Sequence, residues 1–246
     1  MKYRDKLYSC YSANFGGLKA FDQGRSMFPA LDTTYVDFPA NKAAHILDAG
    51  CGKGEWLAWL TEKGYQNLYG VDSASEDLAT ARNWLPGVHF ELGLIFNYLK
   101  AKDRKFDLIH AKDVIEHFTK DELIEFLTLS RDRLSNSGEI WLQTFNAQAP
   151  LASATRYGDF THEIGLTPTS IAQCLRATGY EVRYVRGVHY CSSSLSGRLR
   201  WILSAFIQKL ARVMLQARHG GPPTSTDNVD RLCALPDMLA VASKLS

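Results

Sequence analysis

Short apolar runs alternate with segments of helical periodicity through most of this chain. "AHILDAG" reads as a strand, "GEWLAWLTEKG" as a helix closed by Gly64, "NLYGVD" as a strand and "SEDLATARNWL" as a helix ending before Pro86. Strand "VHFEL", a short helical "IFNYLKA", strand "FDLIHA", helix "KDELIEFLTLSRDRL" and, after the turn "SNSG", strand "EIWLQTF" follow. Strands and helices in strict turn predict a parallel sheet covered on both faces.

The alternation continues with helix "TPTSIAQCLRATGY" and strand "EVRYVRG", and then about fifty residues precede a last strand-like run, "DMLAVAS". Within that gap, from Tyr190 to Gly220, Arg198, Arg200, Lys209, Arg212 and Arg218 occur with no acid. On a wheel of roughly 100° per residue, Leu199, Leu203, Phe206, Leu210, Val213 and Met214 share one face, and Arg198, Lys209 and Arg212 the opposite one. The expectation is a basic amphipathic helix.

Composition adds boundaries rather than chemistry. The 246 residues, 46% hydrophobic and 22% charged, suffice for one domain with a full core. A net charge of +2 is too small for a nucleic-acid partner, which needs a strongly basic face. The start, "MKYRDKLYSC", lacks an apolar core of signal length, and no window reaches the roughly 18 apolar residues of a membrane span, so a cytoplasmic protein is expected. Cys10, Cys51, Cys174, Cys191 and Cys233 are widely spaced without a C-x-x-C pair, which reads as reduced packing thiols.

The chemistry begins at "HILDAGCGKGEWLAWL". A strand, a glycine turn and a helix let backbone approach a ligand at the carboxyl end of the strand. The spacing Asp48-x-Gly50-x-Gly52-x-Gly54 fits neither the G-x-G-x-x-G dinucleotide fingerprint nor a P-loop. Asp72 falls at the tip of the second strand, where a carboxylate can accept hydrogen bonds from both ribose hydroxyls of a nucleoside.

With "ILDAGCGKGEWL" and the acid of "GVDSAS", the chain resembles the class I S-adenosylmethionine-dependent methyltransferases over most of residues 40 to 187. That resemblance implies an α/β, Rossmann-like, doubly wound seven-stranded sheet of order 3-2-1-4-5-7-6. "DMLAVAS" would be its antiparallel last strand. The implied division is one domain: a lid over 1–42, a cofactor-binding core over 43–187, the helical insert over 188–235 and the last strand over 236–246. The resemblance implies S-adenosyl-L-methionine as cofactor, bound by Asp48, Ala49, Gly50, Cys51, Gly52 and Gly54, by Asp72 and Ser73, by Gly93 and Leu94, and by Lys112 and Asp113. Leu94 is a departure, since the family usually carries there an acid that receives the adenine amino group.

On the acceptor side, a hydroxyl nucleophile needs a base within hydrogen-bond reach. His110, inside "FDLIHA", reads as a packed core residue. His162, in "RYGDFTHEIGLTPTS", overhangs the mouth and is the expected base, with Asp159 or Glu163 to orient it and His117 as a further catalytic histidine. Arg156, Asn146 and Tyr11 are expected on the acceptor with Glu163. Asp113, Glu116 and His117 also resemble the set with which ubiquinone-pathway O-methyltransferases hold a divalent cation. Other members carry Glu-His there to order the loop, and no metal is assigned.

"LYSCYS", "RYGDFTHE…LTP" and the basic insert resemble bacterial methyltransferases of lipopolysaccharide and O-antigen assembly. These imply methyl transfer to a sugar hydroxyl of a glycan or lipid-linked glycan, with 195–218 meeting the inner membrane or a glycosyltransferase, or packing over the cleft. Two alternatives stand beside this: a quinone-precursor or phenol O-methyltransferase, and a methyltransferase-like binding subunit without chemistry.

Overall fold

The computed structural model describes residues 6–7, 25–101, 103–188, 195–219 and 227–245. The alternation predicted from the sequence is its backbone. After α1 (Phe28–Thr34) come β1 (His45–Ala49), α2 (Glu55–Glu62), β2 (Asn67–Asp72), α3 (Ser75–Trp84), β3 (His89–Leu92), α4 (Ile95–Ala101) and β4 (Phe106–Lys112). A single 3-10 turn, Ile115–His117, leads to α5 (Lys120–Arg133), β5 (Leu134–Phe145), α6 (Ala152–Gly158), α7 (Pro168–Ala177), β6 (Tyr180–Gly187), α8 (Leu195–His219) and β7 (Asp237–Lys244).

The sheet has the order β3-β2-β1-β4-β5-β7-β6, with β7 antiparallel to both neighbours. This is the seven-stranded, Rossmann-like arrangement expected from the sequence. Side chains of a strand point alternately to its two faces, and Ile46 and Leu47 duly enter different cores, as do Leu108 and Ile109. One face packs Phe126, Ile171 and Leu175 of α5 and α7; the other packs Trp59 of α2 on Trp141 of β5 and Leu239 of β7. Trp59 and Trp141 are fully buried, and truncating either to alanine costs about 3–5 kcal/mol.

Helix starts carry their own signals. Thr119 caps α5 in a reciprocal box with Glu122, and Thr167 does the same for α7 with Ser170, ahead of Pro168. Two local features differ from the sequence pattern. "SNSG" is a bulge between two pairing points of β5 with β4, because Phe106 pairs with Leu134 and Leu108 with Glu139. α6 was expected as loop; it is a short, uncapped helix with no buried residue, entered through Leu151 at φ 63°. Such a segment has no apolar periodicity to announce it.

Residues 25–42 pack against α2 rather than standing apart from it. Tyr35 is buried, stacked on Trp141 with ring centroids 5.7 Å apart, and Phe38 packs edge-on against Trp59 and Trp141. Tyr11, and with it most of the expected lid, lies outside the described residues. The parallel strands β1, β2 and β4 end together at one edge, where Ala49 pairs with Val71 and Lys112 with Gln143. Ligands of open α/β sheets bind at that edge.

Candidate active site

At the end of β1 the chain turns through Gly50, Gly52 and Gly54 at φ 74°, 51° and 81°. Two of these glycines are needed for different reasons. A Cβ on Gly50 would collide with Val114 Cγ2, so both backbone conformation and packing require glycine. A Cβ on Gly52 would meet nothing within 4 Å; there the left-handed backbone faces open space at the sheet edge.

Asp72 is fixed beside that space. Its Oδ2 accepts from Gly52 N and its Oδ1 from Ala74 N, each at 2.8 Å, so the carboxylate holds the turn and the start of α3 together. Burial nevertheless pushes its pKa up, the two backbone N–H groups opposing that shift. Ser73 is exposed beside it. Gly93 N donates to Asp72 O at 2.9 Å, which brings the end of β3 alongside, and Leu94 is 57% exposed there.

Asp48 lies under the turn, buried, and its Oδ1 accepts from His110 Nδ1 at 2.8 Å. His110 Nε2 is 2.8 Å from the Tyr35 hydroxyl, which reaches Gln143 Oε1 at 2.7 Å, and Trp56 stacks on the imidazole at 3.7 Å. His110 is thus the core residue the sequence suggested. Cys51 packs against the same region, its thiol pushed well above the ordinary range by burial and by the Asp48 carboxylate, so it stays protonated. Lys112 is ion-paired with Asp113, which takes φ 54° at the end of β4.

The acceptor-side residues converge on the 3-10 turn after β4. The loop 159–164 is fastened to it by Glu163 N and Ile164 N, which donate to Glu116 O at 2.8 and 3.2 Å. Arg156 closes the loop from the other side by donating to the carbonyls of His162 and Glu163. Asp159 is buried, and its Oδ1 accepts from Thr161 N at 2.8 Å and Thr161 Oγ1 at 2.6 Å. Thr161 has one hydroxyl proton, given to the carboxylate, so its oxygen accepts from His117 Nδ1 at 2.9 Å. The lone pair of the neutral His117 ring is therefore on Nε2. Burial, then the neighbouring His162, hold its pKa down at about 4.

His162 lies 4.8 Å from His117 between ring centroids and stacks on Phe145. Its Nδ1 donates to Thr155 O at 2.9 Å, which leaves its lone pair also on Nε2. Glu116 is buried and its Oε2 has no hydrogen-bond partner; Thr144 Oγ1 lies near enough to oppose the upward shift of its pKa, without hydrogen-bond geometry. Burial and the Asp113 carboxylate raise the Glu116 pKa to about 8. Glu116, His117 and His162 offer ligand atoms all within 4.8 Å of one another. A set of two imidazoles and a carboxylate suits a divalent transition metal. The resemblance suggested Asp113 with Glu116 and His117; the side chains brought together are Glu116, His117 and His162.

Two expected acceptor contacts are used elsewhere. Asn146 is fully buried and donates to Cys233 O and Leu235 O at 3.0 Å, tying β5 to the segment before β7. Arg156 directs its guanidinium to loop carbonyls. Thr161, which joins Asp159 to His117, was missed by sequence reasoning, because nothing in "DFTHE" distinguishes a relay from a loop threonine. A surface recess of about 540 Å³, lined by Arg176, Tyr180 and Asp227 among others, lies at the start of β6, on the opposite edge of the sheet.

A family profile described as a methyltransferase domain matches residues 24–185, which contain the glycine turn, Asp72 and both site histidines. The chain belongs to this methyltransferase family. Curated relatives include a ubiquinone biosynthesis O-methyltransferase of Neisseria meningitidis, 22% identical over 63% of this chain and 72% of that protein. A sphingolipid C9-methyltransferase of Candida albicans is 27% identical over 65% of this chain and 35% of that one. Among solved structures, a SAM-dependent methyltransferase from Archaeoglobus fulgidus superposes with TM-score 0.63 at 19% identity, covering 96% of this chain and 99% of that one.

The methyltransferase uses S-adenosylmethionine. The residues present fit that cofactor: Gly52 leaves open space against backbone, Asp72 holds its carboxylate at the rim of that space, and Leu94 offers exposed apolar surface where adenine would otherwise meet an acid.

Proposed function

We propose that this methyltransferase transfers its methyl group to a hydroxyl oxygen, with His162 Nε2 taking the hydroxyl proton. The observation that carries the reading is a pair of adjacent imidazoles whose Nδ1 atoms are both spent as donors, on Thr155 O and on Thr161 Oγ1. Bound S-adenosylmethionine supplies an electrophilic methyl carbon. The chain's own task is positioning and proton transfer. The bonds from Glu163 N and Ile164 N to Glu116 O, with Arg156 behind, keep His162 at the catalytic edge.

The favoured acceptor is a phenol or a hydroxyl of similar acidity. The low pKa of His117 marks surroundings that accommodate imidazolium poorly. A phenol, with a pKa near 10, asks less of such a base than an alcohol does. Similarity to a ubiquinone biosynthesis O-methyltransferase supports the same class. A sugar hydroxyl, expected from "RYGDFTHE", has less support, because Arg156 and Asp159 of that stretch build the loop. Labelled-methyl transfer to catechols, simple phenols and glycans tests this. Phenols should be methylated, and His162→Ala should lower kcat by about 10²- to 10⁴-fold while S-adenosylhomocysteine affinity holds. Unchanged turnover in that variant overturns the base, and methylation of glycans alone overturns the acceptor class.

The unpartnered Glu116 Oε2 favours a second reading, in which Glu116, His117 and His162 hold a divalent cation that orients and acidifies the hydroxyl. Activity lost to a chelator and restored by Zn²⁺ or Mg²⁺ selects it over unaided proton transfer.

A further inference from the structure

α8 is amphipathic in an inverted sense. Its partly covered residues are Ser204, Ala205, Gln208, Ala211 and Leu215, mostly small or polar, and Arg212 Nη1 bonds Asp230 Oδ2 at 3.1 Å. Leu203, Phe206, Leu210, Val213 and Met214 are exposed, Phe206 at 67% and Met214 at 65%. A helix that met its own core would do the reverse. Five or more large apolar side chains along one stripe mark an interaction surface.

Charge tells what covers it. Within 195–219 there are five arginines and lysines and no acid. At 100° per residue the stripe, with exposed Ile202 and Ile207 at its two margins, spans about 140°, with Lys209 bordering one side and Arg218 the other. Cationic borders on an apolar stripe match the two layers of an anionic lipid surface, phosphates above and acyl chains below. They do not match a second α8, whose own cations would meet these with no acid on either helix. The helix has the length of a membrane span but is not apolar enough to cross one, which leaves lying in its plane.

We propose that α8 holds the enzyme on an anionic lipid surface. The chain leaves the sheet for this helix at Gly187 and returns at Asp237, beside Phe145 and Met238, at the edge that carries the glycine turn and the histidines. Anchoring there puts the catalytic edge, rather than the far edge, next to the membrane. The inference stands independently of the acceptor class argued above.

Flotation of the full chain tests it, with vesicles of phosphatidylglycerol and phosphatidylcholine in equal parts against phosphatidylcholine alone. The protein should float with the anionic vesicles at low salt, and less so as salt rises. Neutralising Lys209 or Arg218 to alanine should weaken partitioning about fivefold each. The double variant Phe206→Ser, Leu210→Ser should abolish it while still binding S-adenosylhomocysteine, which shows that the variant is folded. Absence of flotation by the wild type overturns the proposal, as does flotation undiminished in the double variant. Concentration-dependent dimerisation that depends on Phe206 and Leu210, without vesicle binding, also overturns it and assigns the stripe to a second copy.

Discussion

Two histidines of this methyltransferase are each linked to an aspartate, one beneath the glycine turn and one above the end of β4, and they are put to different uses. His110 meets Asp48 directly at 2.8 Å, presents its other nitrogen to Tyr35 and is sandwiched against Trp56, all without exposure. His117 reaches Asp159 only through Thr161, at the edge of the sheet and beside a second imidazole. In the first arrangement both nitrogens serve the fold. In the second the aspartate fixes the tautomer at one remove and the Nε2 lone pair is set toward the other ligand-capable groups.

The largest expected effects separate the two regions. His110→Leu leaves the buried Asp48 carboxylate without its partner and should cost about 3–5 kcal/mol of stability in denaturant unfolding. His117→Ala should cost only about 1 kcal/mol, yet lower turnover on the order of 100-fold. If His117→Ala unfolded the protein while His110→Leu spared it, the division between a structural and a chemical histidine would be reversed.

The pH dependence of stability sharpens the contrast, measured as Tm in chelator-treated protein. The His117 pKa is lowered from 6.5 to about 4, so the unfolded chain binds the proton first and stability falls as pH drops from 6.5 towards 4. The Glu116 pKa is raised from 4.5 to about 8, so the folded chain keeps its proton longer and stability falls as pH rises from 4.5 to about 8. The two slopes have opposite sign and overlap. Glu116→Gln should therefore remove the loss on the alkaline side and leave the acid-side loss, and His117→Gln should do the converse. A Glu116→Gln profile parallel to wild type from pH 4.5 to 8 would show that this carboxyl is ionised throughout.

How far the sequence foretold these regions follows from the range of the interactions. Ile46, Leu47 and the glycines of "DAGCGKG" belong to patterns of period two and to a turn, which are local, whereas the sheet order was implied by the family those motifs resemble. Thr161 and Asn146 take their roles from partners such as His117 44 residues away or Cys233 across the sheet, and no local pattern encodes those. α8 shows both sides. Its apolar stripe was legible on a wheel; that the stripe points outward depends on Arg212 meeting Asp230 and on small residues facing the body.

The smallest predicted effect probes the link that separates the two histidines. Thr161→Val keeps the shape of the side chain but removes the oxygen that accepts from His117 Nδ1 and the proton given to Asp159. His117 is then no longer held to one tautomer, and Asp159 loses one of its two bonds from residue 161 while keeping the backbone N–H. Turnover should fall about tenfold, equivalent to roughly 1.4 kcal/mol, with KM for the acceptor little changed, because the loss is in orientation and not in binding. Thr161→Ser restores the hydroxyl and should restore the rate. A merely structural threonine would give the opposite result, in which serine, lacking the methyl group, is as impaired as valine and both lose stability without a selective loss of kcat.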